Sequence, residues 1–234
     1  MHKKPSTPQV NQQRFIRKRG IILTGQPGCG KTTLVDNLIK ELVAHANNNN
    51  TQAAFAIAGF ITREVKAPAL LGRIGFDVES FVYGKVATPQ QQAEQQATKA
   101  TTQQLSCIFN LKKQLARLQD LEQLLAQLPP HLQSPASTPS TPNTPVSSQH
   151  TVGKYNVYLE NFESTVAPLW AVYDQVRPLV LIIDEVGKME CCSEEFCKQI
   201  ERCLAKADDS VFFVFTLAKH GKGLMGMFMY IFII

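Results

Sequence analysis

Residues 25–32 read Gly-Gln-Pro-Gly-Cys-Gly-Lys-Thr, which satisfies the pattern G-x-x-x-x-G-K-[ST] at every specified position. No other stretch restricts the fold as strongly. The string follows an apolar run, Ile21-Ile22-Leu23-Thr24, and opens into Thr33-Leu34-Val35-Asp36-Asn37-Leu38-Ile39, whose apolar spacing is helical. A strand, a glycine-rich turn and a helix in that order are the context in which such a loop wraps phosphate groups. The glycines let backbone N–H groups point inward, and the helix N-terminus adds partial positive charge. The expected nucleotide-binding residues are Gly25, Gln26, Pro27, Gly28, Cys29, Gly30, Lys31, Thr32 and Thr33. Lys31 reaches the β and γ phosphates, and the Thr32 hydroxyl is a ligand for Mg²⁺. The alternative is a chance glycine-rich turn, which leaves the complete residue set and the preceding strand unexplained.

A second motif lies far downstream. Pro178 is followed by the unbroken apolar run Leu179-Val180-Leu181-Ile182-Ile183, and the run ends in Asp184-Glu185. A strand buried on both faces of a parallel sheet reads this way. In open α/β sheets ligands bind at the carboxyl ends of the strands, so this acidic pair is expected beside the phosphate loop. Asp184 is expected to hold Mg²⁺, directly or through water. Glu185 is placed to face the γ phosphate, where an attacking water needs a base or an orienting acceptor. A solvated acidic pair at a strand end is the alternative.

Several further strings carry a family resemblance. Gly59-Phe60-Ile61-Thr62-Arg63-Glu64-Val65, Arg73-Ile74-Gly75-Phe76-Asp77-Val78, Val152-Gly153-Lys154-Tyr155 with Phe162-Glu163, and Asp184-Glu185-Val186-Gly187-Lys188-Met189-Glu190 stand alongside the loop. Together they make the chain similar to the P-loop nucleoside-triphosphatase family of the thermophile and cancer-related nucleoside-triphosphatase type. The resemblance covers about residues 20–87 and 151–222. It implies slow, Mg²⁺-dependent hydrolysis of a broad set of nucleoside triphosphates; spacing alone indicates only a Mg-nucleotide site. The chain departs from the family in three places. Tyr158 stands where the family carries an acidic residue, a long insertion precedes Val152, and the family continues with a further helix and strand where this chain has Ile234.

The 234 residues suit one modest domain with irregular additions. Net charge is +5, with Lys3, Lys4, Arg14, Arg17, Lys18 and Arg19 preceding the first acid, Asp36. Residues 1–19 are therefore expected to be a disordered basic leader, with a nucleic-acid arm, a membrane-surface arm or an organelle-targeting segment as the other readings. The leader lacks the apolar core of a secretory signal, so an intracellular, cytoplasmic location is expected. Cys29, Cys107, Cys191, Cys192, Cys197 and Cys203 show no paired zinc spacing and read as reduced thiols. Cys29 lies at a helix N-terminus, where a thiolate is favoured; a small residue tolerated in the loop is the other reading.

The remaining elements order themselves around the two motifs. Residues 54–60 read as a second strand, and residues 71–78 as part of a hairpin. A helix to about Val176 is expected, capped by Asn161 or Ser164, with Phe162, Val166, Leu169 and Val172 on one face. Ser193 is expected to cap another helix bearing Phe196, Ile200, Cys203 and Leu204. Residues 211–217 form a further buried strand, whose Thr216 either touches the γ phosphate or is satisfied by backbone.

Residues 88–150 differ in composition. Gln/Thr/Ala-rich and Ser/Thr/Pro-rich tracts flank Ile108, Leu111, Leu115, Leu118, Leu121, Leu124, Leu125 and Leu128, which follow helical spacing. The segment is expected to be a low-complexity insertion carrying one amphipathic helix near 108–128, which either docks a protein partner or folds back on its own domain. Residues 223–234 form an apolar tail too short to span a bilayer, which needs about 20 apolar residues. It reads as a final strand, an interfacial anchor or, as the expectation, the product of a truncated or misread transcript. No transmembrane segment and no specific nucleic acid are expected, and the chain reads as a monomer.

The predicted fold is α/β, a P-loop NTPase with a mostly parallel sheet flanked by helices, a β-hairpin addition and a disordered insertion. The predicted activity is conversion of ATP, GTP and other nucleoside 5′-triphosphates to diphosphate and phosphate. Lys31 and Glu185 are the catalytic residues, and Thr32 and Asp184 the Mg²⁺ ligands. Arg63, Arg73 and Lys188 are candidates for stabilising the transition state. A small-molecule kinase and a non-catalytic nucleotide-binding protein are the alternatives.

Overall fold

The computed structural model describes residues 20–48, 55–67, 72–84, 106–121, 123, 150–205 and 208–218. The basic leader, the apolar tail and the low-complexity tracts at 85–105 and 124–149 lie outside the described residues. Strand β1 (Gly20–Gly25) runs through the glycine turn into α1 (Lys31–Asn48). β2 (Ala56–Lys66), β3 (Arg73–Gly84), β4 (Ser106–Leu118), β5 (His150–Val152) and β6 (Tyr155–Val157) follow. Then come α2 (Leu159–Gln175), β7 (Leu179–Val186), a single 3₁₀ turn at Glu190–Cys192, α3 (Glu194–Ala205) and β8 (Val211–Ala218).

The eight strands form one mixed sheet in the order β1-β8-β7-β2-β3-β4-β6-β5. β1, β8, β7 and β2 are parallel, so their carboxyl ends share one edge. From β2 onward every pairing is antiparallel. Strand pleating sends successive side chains to opposite faces, and here each face has its own helical cover. Val35 and Ile39 of α1 pack with Ile57, Ile61, Ile182 and Val214. Leu179, Leu181 and Ile183 of β7 and Phe213 and Phe215 of β8 pack on the opposite face with α2 and α3. This double burial explains why β7 and β8 read as continuous apolar runs. Phe60, Phe162 and Phe196 meet edge-on in the second layer, with centroids 5.6, 5.7 and 5.3 Å apart.

The two helices of that layer begin differently. Ser193 caps α3 as expected: its Oγ accepts from the Phe196 amide at 3.1 Å. The expected cap of α2 is corrected. Tyr158 occupies the N-cap without a side-chain bond, Asn161 donates to the Gln114 carbonyl, and Ser164 donates to the Glu160 carbonyl. Position 158 therefore marks the helix start.

The amphipathic helix expected near 108–128 is also corrected, because residues 106–118 form β4, paired to β3 on one side and β6 on the other. The misleading spacing has a physical origin. The β3–β4 register shifts twice, so Ile108 and Leu115 are extra residues between ladder partners. Each bulge breaks the period of two and places apolar residues at intervals that imitate a helix. Leu115, Leu118 and Leu121 are buried in the main core, so they form no docking face. Arg117 closes the second bulge: it is 4% exposed, donates to the Phe76 carbonyl at 2.7 Å and pairs with Asp77 at 2.6 Å. The domain boundary at 88–150 moves accordingly, since β4 and His150 belong to the sheet.

Replacing residues 88–150 by a short Gly/Ser linker is therefore expected to abolish cooperative thermal unfolding, followed by circular dichroism. Leu115→Ala should cost about 2–5 kcal/mol, the scale of a truncated core leucine. A deletion that unfolds like the parent would contradict this strand order.

Candidate functional site

The phosphate loop forms the turn between β1 and α1. Gly28 and Gly30 adopt φ of 77° and 93°, a region that glycine enters without steric cost. The Cys29 amide donates to the Gln26 carbonyl, and the Leu34 amide donates to the Gly30 carbonyl as α1 begins. Gln26, Pro27, Gly28, Cys29 and Gly30 are exposed, and Thr32 is half-buried. Lys31 Nζ donates to the carbonyls of Gly25 and Gln26 at 3.2 and 3.3 Å. An ammonium has three donors, so the loop anchors Lys31 and leaves one proton for an anion.

β8 lies between β1 and β7, so the acidic pair and the loop are separated by one strand. Thr216 bridges that gap: its hydroxyl donates to Asp184 Oδ1. The strand-end hydroxyl is thus satisfied by a side chain, not by backbone. Asp184 is 2% exposed, and its Oδ2 is buried without a hydrogen-bond partner. Leaving a buried carboxylate oxygen unpartnered is costly, and a hard divalent cation is the natural complement of oxygen donors. Among the described residues no cluster of three His, Cys, Asp or Glu side chains forms a metal cage. Mg²⁺ suits such a setting, because it is usually held by one or two protein oxygens plus phosphates and water.

Glu185 is half-buried beside this carboxylate. Burial pushes its carboxyl above the usual range, the Lys31 charge pulls it back, and the Asp184 charge adds to the rise. The interaction with Lys31 brings the two expected catalytic residues into one electrostatic site. The Asp184–Glu185 peptide is cis.

Two residues missed in the sequence complete the floor. Glu190 is 2% exposed and accepts a 2.8 Å hydrogen bond from Thr62 of β2. Burial pushes its carboxyl up to about 7, against hydrogen bonds from its own amide and from Thr62. Glu190 Oε2 and Glu185 Oε1 converge on Gly187, where an added Cβ would meet them at 2.7 and 2.8 Å. Both residues stand inside strings quoted for the family resemblance. Their pairing crosses 128 positions, however, and no local pattern signals it.

The cationic candidates separate. Arg63 makes a two-pronged contact with Asp36 of α1 at 2.7 and 2.8 Å and a third bond to Glu79 at 3.1 Å. Burial works against the Glu79 charge, but the Arg63 and Asn110 hydrogen bonds outweigh it and hold that carboxyl below its usual range. Arg73 pairs with Glu64 at 2.6 Å and lies over the Phe76 ring. Both arginines are committed to structural contacts, whereas Lys188, next to Gly187, is exposed.

Comparison with known proteins agrees with this geometry. The sequence model of the family described as NTPase matches residues 20–120 and 139–225. The chain is 28% identical over 180 residues to the nucleoside-triphosphatase THEP1 of Aquifex aeolicus, spanning 75% of this chain and 65% of that protein. It is 25% identical over 190 residues to a cancer-related nucleoside-triphosphatase homolog of Mus musculus, spanning 80% and 70% respectively. The crystal structure of THEP1 from Aquifex aeolicus shares the fold, with a TM-score of 0.51, 22% identity, and coverage of 91% of this chain and 84% of that one. The match thus spans under two-thirds of the first relative's sequence. With the family pattern covering both the loop and the acidic strand end, the chain belongs to the NTPase family.

Proposed function

We propose that this chain hydrolyses nucleoside 5′-triphosphates to diphosphate and phosphate with Mg²⁺, across several bases including those of ATP and GTP. The observation that carries the reading is the buried Asp184 carboxylate, bonded to Thr216 through one oxygen and unpartnered at the other, beside a complete phosphate loop. Family membership and the names of both sequence relatives support the same reaction class.

The residues divide the work by their chemistry. Backbone amides at Gly28, Gly30 and Lys31 wrap the phosphates, and Lys31 adds a charge already fixed by two loop carbonyls. Thr32 and Asp184 would hold Mg²⁺, which neutralises phosphate charge when bound. Glu185 accepts a proton from the attacking water. Its raised proton affinity makes it a better base than an exposed glutamate. Among the three cations considered, Lys188 is the one free to approach the developing charge, because Arg63 and Arg73 are held by carboxylates. Substrate range and Mg²⁺ dependence are part of this proposal. Among the described residues no helix is long and apolar enough to cross a membrane.

Lys31→Ala is expected to weaken nucleotide binding and to lower phosphate release by about 10²- to 10³-fold, the scale of one lost charge-stabilising donor. Unchanged affinity in a fluorescent-nucleotide titration would exclude the loop as the site. Glu185→Gln should retain binding and lose about 10²-fold or more in kcat. Chelation with EDTA should stop turnover, and added Mg²⁺ should restore it. Phosphate transfer to an added nucleoside or nucleotide acceptor, with no release to water, would favour a kinase instead.

A further inference from the structure

Glu190 has no part in the reaction as described, yet it is among the most deeply buried ionisable side chains of the described residues. It touches two elements at once. Thr62, midway along β2, donates to its Oε1, and its Oε2 and Glu185 Oε1 lie 2.7 and 2.8 Å from the one point where a Cβ on Gly187 would stand. Among the described residues no cation pairs with Glu190. The groups that share its surroundings are Glu185, the thiols of Cys191 and Cys192, and the backbone amides of Gly187 and Glu190 itself. Burial pushes both thiols up, so they bring no negative charge at neutral pH. On α2, Glu163 is occupied by Ser193 at 2.6 Å.

Two glutamates facing one glycine in a buried site do not both carry charge cheaply, and the more buried one retains its proton. We propose that Glu190 is a positioning residue: anchored by Thr62, its carboxyl meets that of Glu185 beside Gly187 and fixes the direction in which Glu185 meets water. This deepens the hydrolysis reading and rests on it for the role of Glu185. The sign of the pH effect follows. Glu190 is neutral below about 7. Above that pH its ionisation sets two negative charges against each other, and Glu185 loses its orientation, so kcat falls on the alkaline side.

The test compares Glu190→Gln, Glu190→Ala and Thr62→Val with the parent. An amide keeps the acceptor for Thr62 and offers an N–H at every pH. Glu190→Gln should therefore recover most of the turnover that Glu190→Ala loses, and should lack the alkaline fall. Glu190→Ala and Thr62→Val should lower kcat by about 10- to 100-fold, as misplaced groups do, with nucleotide affinity nearly unchanged. An alkaline fall that persists in Glu190→Gln overturns the proposal, as does equal loss of affinity and kcat in folded Glu190→Ala. Infrared pH titration supplies a readout that needs no turnover: a carboxylic-acid C=O band titrating near 7 in the parent and missing in Glu190→Gln. Phosphate release without that band rejects the Glu190 assignment alone. The band without phosphate release supports the carboxyl pair and rejects hydrolysis.

Discussion

Burial of β7 on both faces is the constraint on which the structure depends. One face packs Val180 and Ile182 toward α1, and the other packs Leu179, Leu181 and Ile183 toward α2 and α3. A strand enclosed this way tolerates charge only where the helical layers end. The apolar run therefore stops at Ile183, and the acids begin at once. Asp184 still lies within the low-dielectric margin, which is why Thr216 satisfies one oxygen and the other suits a cation.

Most of the parallel half was legible in the sequence. The loop, the strand before it, the helix after it and the acidic strand end are each defined by local rules of period and turn chemistry, and each lies where those rules place it. Ser193 was legible for the same reason, since an N-cap is a contact within one turn. The antiparallel wing was not. The leucines of β4 carry a helical spacing because two bulges reset the pleat, and only β3 and β6 determine that pairing. Propensity over a short window has no access to a partner strand.

In the site, legibility ended at contacts between distant segments. Arg63 looks in the sequence like a free cation near a phosphate loop, but Asp36 and Glu79 hold it from two other elements. Thr62 and Glu190 look like neutral background, yet they meet under Glu185. Residue type and spacing pointed to the groups expected to touch ligand, and three-dimensional pairing showed which groups stand behind them.

The point where β2 stops pairing with β7 has one further consequence. Ile61 pairs with Asp184, and the next two residues turn to opposite faces of the sheet. Thr62 grips the Glu190 turn on one side, and Arg63 grips α1 on the other. Two adjacent peptide units thus act as a rivet through the sheet. The helix that carries the phosphate loop and the turn that underlies the acidic pair share one fastening, so neither can shift along the sheet without dragging the other.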